Sequence, residues 1–287
     1  MSDHPYFLVD VFAANPLEGN LLPVIADADD LSTETMETLA RRFNLSETSF
    51  IQSATVADAT YRHRIFVITG EIPFAGHPSL GTAAVWAFQH GMTNAEVTQQ
   101  TVSGTQRLRV AMQGKTGDVT LWQNPPVYGA TVETGPVLAA IGLPPEAAHP
   151  GLLPQAVSTG LPALIVPLSS IDWLQEVKIA KERLPLSFGQ GADTEPVMLY
   201  LVAQSAAGDW RARSFANDAT AGEDPATGSA AGAMGAYLRA ARGDDVFRIR
   251  QGVEMGCPSE ILVDTRDGIA VSGKVHIVTT GSITLPG

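Results

Sequence analysis

Three places in this chain pair a proton-carrying side chain with a glycine or a polar turn. Glu47 lies in Asn44-Leu45-Ser46-Glu47-Thr48, His77 follows Gly76 directly, and the adjacent carboxylates Glu223-Asp224 precede Pro225. A histidine of ordinary pKa suits a hydrogen-bond donor or a proton shuttle. Glu47 taken alone reads as a surface carboxylate. It adjoins a strand rich in Phe and Ile, however, and a carboxyl held near apolar walls gains a raised pKa and can both take and return a proton. The remaining histidines (His4, His63, His90, His149, His276) are scattered without ligand spacing, so no metal site is expected. No phosphate loop, dinucleotide fingerprint or serine elbow occurs.

The positioning elements repeat. Gly70-Glu71-Ile72-Pro73-Phe74-Ala75-Gly76-His77 returns as Gly222-Glu223-Asp224-Pro225-Ala226-Thr227-Gly228-Ser229, offset by 152 at every place (222 − 70 = 152). Each copy runs into a small-residue segment of helical character. Gly76 and Gly228 therefore open two helices whose first backbone N–H groups could receive an anion, with simple capping as the plainer alternative. His77 and Ser229 correspond, as do Glu71 and Glu223, while Asp224 faces Ile72. A structural role for the shared glutamates and a special one for Asp224 follows. A carboxylate or similar small anion is the expected ligand of the two mouths.

The bulk composition limits the classes open to the chain. Its 287 residues suffice for one large domain or two ordinary ones, and the 152-residue period favours two similar halves. A formal net charge of −12 argues against nucleic acid, although a local nest of N–H groups could still hold a small anion. One cysteine, Cys257, excludes an internal disulfide and a thiolate metal cluster. The first residues lack signal-peptide character and no apolar run is long enough to span a bilayer, so no membrane partner and a cytoplasmic location are expected.

Strands are expected at 6–12, 21–25, 49–54, 62–68, 97–102, 107–112 and 117–123. A capped helix starts at Ser32, and a second runs from His77 to His90. Asn124-Pro125-Pro126 reads as the boundary, giving an N-terminal lobe of 1–124, joined by a C-terminal strand 275–287, and a C-terminal lobe of 125–274. In the second half a helix near Pro136–Ile141 precedes strands at 156–159, 163–168, 198–204 and 210–215. A helix from Ser229 to Ala241 and strands at 246–251, 261–265, 269–274 and 275–285 follow. Many short strands with one glycine-started Ala/Gly-rich helix per half predict an α+β fold of two lobes. In each, a curved, barrel-like sheet wraps a central helix that needs no polar face.

Together these residues resemble the phenazine biosynthesis PhzF family, within the diaminopimelate epimerase-like fold. The resemblance rests on Val9-Asp10-Val11-Phe12, Gly19-Asn20, Asn44 to Thr48, Phe74-Ala75-Gly76-His77-Pro78, Gly222 to Ala231, Gln251-Gly252 and Pro258-Ser259. It implies a cofactor-independent isomerase, often a homodimer, with its active site between the lobes. The substrate would be a small carboxylated cyclic or unsaturated molecule. The resemblance makes Glu47 the general acid/base, His77 and Asp224 its polar partners, and Ser46, Gly76, Gly228 and Ser229 the binding cradle. The amino-acid racemases of the same fold use two cysteines, whose places here are Ala75 and Thr227. An amino or imino acid epimerase or dehydratase is therefore the weakest alternative, behind a non-catalytic ligand-binding member of the fold. Three departures stand out: Leu21 after Gly19-Asn20, Val67-Ile68-Thr69 before the first glutamate, and Cys257 where the family commonly has arginine.

Overall fold

A computed structural model describes residues 2–179, 197–216 and 222–285. The chain is α+β and divides into two compact units, Met1–Trp122 with Ser272–Gly287, and Gln123–Val271.

The first unit contains β1 (Ser2–Val11), β2 (Asn20–Ile25), α1 (Thr33–Phe43), β3 (Thr48–Gln52), β4 (Tyr61–Val67), β5 (Gly70–Ile72), α2 (Gly76–Gln89), β6 (Asn94–Thr101), β7 (Gly104–Gln113) and β8 (Thr116–Trp122). The long last strand of the chain, β17 (Ala270–Leu285), also contributes. Strand pairing runs β1–β2–β3–β4–β6–β7–β8–β17 and back to β1, a closed ring of eight. Closure leaves no free sheet edge. Inside the ring lies α2, against β1, β2, β3, β4, β6, β7 and β8. Its sequence GHPSLGTAAVWAFQ has almost no polar side, and nearly every residue is buried, as a helix enclosed by strands requires. Gly81 shows how close the approach is: a Cβ there would sit 2.7 Å from Leu22 and 3.0 Å from Val11. The amphipathic α1 covers the outside, setting Met36, Leu39 and Ala40 on Phe50 and Phe66. Ser32 caps α1 by accepting from the Thr35 N–H at 3.1 Å, as its position before the apolar periodicity predicts.

The second unit contains β9 (Val127–Thr131), α3 (Thr134–Ala140), β10 (Gln155–Ser158), β11 (Pro162–Pro167), α4 (Asp172–Glu176), β12 (Met198–Gln204), β13 (Trp210–Ala216), β14 (Glu223–Asp224), α5 (Gly228–Arg242), β15 (Val246–Gln251) and β16 (Ser259–Asp264). Its described strands pair in the order β9–β10–β11–β12–β13–β15–β16, with β14 on β13. The connectivity repeats that of the first unit: β2–β3 and β11–β12 are parallel across an outer helix, and β4–β6 and β13–β15 are parallel across the central helix. Helix α5 lies against β10, β11, β15 and β16, and is buried until its last turn. On the outer face Val137, Leu138 and Leu174 pack on Leu164, Leu199 and Leu201.

Some elements differ from the sequence reading. Residues 127–131, to which the sequence reading gave no element after the boundary at Asn124-Pro125-Pro126, form a strand. Val127 and Tyr128 are exposed, so burial left no alternation to read there. The segments expected at 269–274 and 275–285 are one strand. A bulge opposite Leu8/Val9 bends β17 without ending it.

Candidate active site

Each unit carries part of the candidate residue set. In the first, Asn44 ends α1 in the left-handed conformation (φ 51°), its N–H returning to the Ala40 carbonyl at 3.1 Å. The chain then needs only Leu45 and Ser46 to reach Glu47, which stands at the entry to β3. Glu47 Oε2 lies 3.5 Å from His77 Nε2, with the two side chains 16% and 3% exposed. The glutamate's carboxyl is thus partly open, while the imidazole behind it is closed off.

His77 occupies the first turn of α2. Its Nδ1 lies 3.2 Å from the Asn20 amide nitrogen, which can only donate. Nδ1 is therefore the acceptor, and the neutral ring carries its proton on Nε2, toward Glu47. Burial pushes the His77 pKa down to about 3, helped by the nearby His63. The 3.5 Å approach is accordingly a neutral donor beside a carboxylate and not an ion pair. Asn20 reaches the ring because Gly19 (φ +78°) turns tightly under β1. A Cβ at Gly19 would fall 2.3 Å from the Val11 carbonyl oxygen. The adjacent Gly-Asn thus has one residue for the turn and one for the tautomer.

In the second unit Asp224 ends the short β14, and its Oδ2 accepts the Thr227 hydroxyl at 2.5 Å. Gln251 holds the same loop from β15. Its amide nitrogen donates to the Asp224 carbonyl (2.8 Å) and to Thr227 Oγ1 (2.9 Å), and its oxygen accepts from the Thr227 N–H (3.2 Å) and the Tyr200 hydroxyl (3.1 Å). Burial and the Asp224 charge raise the Tyr200 pKa, so that hydroxyl stays a donor. Ser259 donates to the Pro225 carbonyl at 2.9 Å. Gly252 (φ +71°) passes so near that a Cβ would meet the Cys257 and Pro225 carbonyls at 2.3 and 2.6 Å. Gln251-Gly252 and Ser259 are therefore the brace behind the loop bearing Asp224.

Gly76 and Gly228 begin α2 and α5, whose cap residues Ala75 and Thr227 make no side-chain cap to the first turn. Ser229 is buried in the first turn of α5. Gln123 secures that turn by donating to the Gly228 carbonyl at 2.9 Å while accepting from Thr159 at 2.6 Å. Ser46 sits in the short turn before Glu47. The two shared glutamates are structural: Arg64 grips Glu71 at 2.6 and 2.9 Å and Arg213 grips Glu223 at 2.7 Å twice. Each guanidinium also lies over a phenylalanine, Phe66 or Phe215. Among the described residues no group of three or more His, Cys, Asp or Glu is placed to hold a metal.

Sequence reasoning assigned no role to Asn20, Gln123, Tyr200 or Gln251. One signal was available: Gln99 and Gln251 are separated by the same 152 residues as the glycine motifs (251 − 99 = 152).

Comparison with known proteins decides the family. Residues 9–281 match the model of the phenazine biosynthesis-like protein family, PhzC-PhzF. The chain belongs to that family. A trans-2,3-dihydro-3-hydroxyanthranilate isomerase of Pseudomonas chlororaphis is 34% identical over 299 residues, covering 98% of this chain and 100% of the relative. Among solved structures, a predicted epimerase from Pseudomonas aeruginosa is 31% identical with a TM-score of 0.85, over 99% of this chain and 100% of that one. A PhzF-family protein of Bacillus anthracis is 25% identical with a TM-score of 0.82, over 99% and 100%. Membership accounts for the motif blocks noted in the sequence. In this chain they are the turn that sets the His77 tautomer, the entry to β3, two helix mouths and the Gln251 brace.

Proposed function

We propose that this isomerase catalyses a cofactor-independent proton shift on a small carboxylated cyclic or unsaturated substrate, with Glu47 as the acid/base. The observation that carries the reading is the largely buried Glu47 carboxyl, 16% exposed, with the enclosed, neutral His77 at its back. In this reading Glu47 takes a proton from one substrate carbon and returns it to another carbon of the same molecule. The product is an isomer, and the enzyme ends in its starting protonation state. His77 presents Nε2–H to the carboxyl from 3.5 Å and does not compete for the proton. In the second unit Asp224, fixed by Thr227 and Gln251, is held as a hydrogen-bond acceptor for the donor groups of a ligand. Ser46 and the α2 mouth at Gly76 receive the substrate carboxylate, and the α5 mouth at Gly228 and Ser229 is a cradle of the same kind in its own unit. The places of the racemase thiols are Ala75 and a threonine already committed to Asp224, which leaves no pair of thiols for two-base racemisation.

The substrate to try first is trans-2,3-dihydro-3-hydroxyanthranilate, named for the chlororaphis relative. Incubated in D₂O with the protein, it should change its ultraviolet spectrum and gain deuterium, and Glu47→Gln should abolish both while keeping the fold. Conversion that persists in Glu47→Gln would overturn the role of Glu47. Binding without conversion or label would make the protein a ligand-binding member of the fold.

A further inference from the structure

His63 takes no part in the chemistry above, yet it is buried at the centre of a polar network inside the first barrel. Its Nδ1 lies 3.1 Å from Gln99 Oε1, an oxygen that can only accept, so Nδ1 carries the proton. Nε2 then accepts from the Ser49 hydroxyl at 2.8 Å and the Thr82 hydroxyl at 3.2 Å. Burial keeps the ring neutral, its pKa lowered to about 4. Gln99 passes the contact on by donating to Ser79 Oγ at 2.8 Å, and Ser79 donates to the Ala75 carbonyl at 2.7 Å. The two ends of this chain are informative. Ser49 lies two residues after Glu47 on β3, and Ala75 caps α2 two residues before His77.

The second unit contains the same device in different side chains. Gln251 corresponds to Gln99 by the 152-residue offset and holds Thr227, the counterpart of Ala75. Its oxygen accepts from Tyr200. Ser49 precedes the strand partner of Arg64, and Tyr200 precedes that of Arg213. One long tyrosine thus spans in the second unit what Ser49 and His63 span together in the first.

We propose that His63 is a positioning residue that fixes the spacing of Glu47 and His77 by tying β3 and the mouth of α2 to Gln99. The proposal rests on the role given above to Glu47 and His77, and its test has a readout independent of any substrate. Long-range ¹H–¹⁵N spectra of the full chain should show His63 as the Nδ1–H tautomer and His77 as the Nε2–H tautomer. In His63→Ala the His77 ring signals should shift or broaden. His63→Asn, whose amide can still donate to Gln99, should largely restore them. Turnover of trans-2,3-dihydro-3-hydroxyanthranilate should fall on the order of 10²-fold in kcat for His63→Ala, the cost typical of a misplacement near 1 Å. KM should change less than about 3-fold and His63→Asn should recover most of the rate, because a positioning defect acts on kcat more than on ground-state binding. An Nε2–H tautomer at His63, or His77 signals unmoved in a folded His63→Ala, would overturn the proposal. If wild type fails to turn over the probe, the functional reading is in question and the spectra still decide the role of His63.

Discussion

At the scale of single residues, the first unit encloses two histidines in their neutral form. His63 and His77 are both enclosed and both have lowered pKa values, near 4 and near 3. The unfolded chain protonates histidine near pH 6.5, so between that value and the folded ones it holds more protons than the native state. Stability therefore falls as pH drops below about 6.5, by about 1.4 kcal/mol per pH unit for each such histidine. Urea titrations from pH 7 to 5 should show a shallower loss in His77→Asn than in wild type, and equal slopes would mean that His77 is charged in the fold. These residues were legible in the sequence to different degrees. His77 announced itself by following a glycine at a helix start. His63 looked like any strand histidine, because its partners Ser49, Thr82 and Gln99 come together only when β3, α2 and β6 share one barrel.

At the scale of elements, the turn before each central helix is held by an arginine from the preceding strand. The exposure of the Arg213–Glu223 pair is only 11% and 17%, so removing one partner strands a largely desolvated charge. Arg213→Met should cost roughly 3 kcal/mol, and adding Glu223→Gln should restore part of it in a double-mutant cycle. Additive losses would show that the two groups do not interact. Gly232 offers a steric counterpart. A Cβ there would fall 1.9 Å from the amide oxygen of Gln123, the residue whose nitrogen braces the start of α5. Gly232→Ala should lose about 1–3 kcal/mol by overpacking, read as a lower urea midpoint at unchanged m-value. Helix starts, most strands and the α+β class could be read ahead because periodicity, caps and glycines are local. The strand at 127–131 and the continuity of β17 could not, since exposure erased one pattern and the half-buried Ser272-Gly273-Lys274 interrupted the other.

At the scale of the molecule, β17 completes the ring by pairing with both β1 and β8. Ending the chain after Val271 would leave those two strands with open edges around a helix that has no face for water. Limited proteolysis followed by mass spectrometry should then find residues 1–122 digested far faster than in the full chain. Equal resistance would show that the barrel needs no eighth strand. The same strand also constrains manufacture. A ribosome works from the first residue forward, so the first unit must wait, incomplete, while the second is made, and the barrel can shut only when the last stretch emerges. Ser2 and Leu285 are register partners on β1 and β17, so their ends lie side by side. Recutting the chain to begin at Ser272, with a short linker from the old end to the old start, would make each unit contiguous and let synthesis proceed one body at a time.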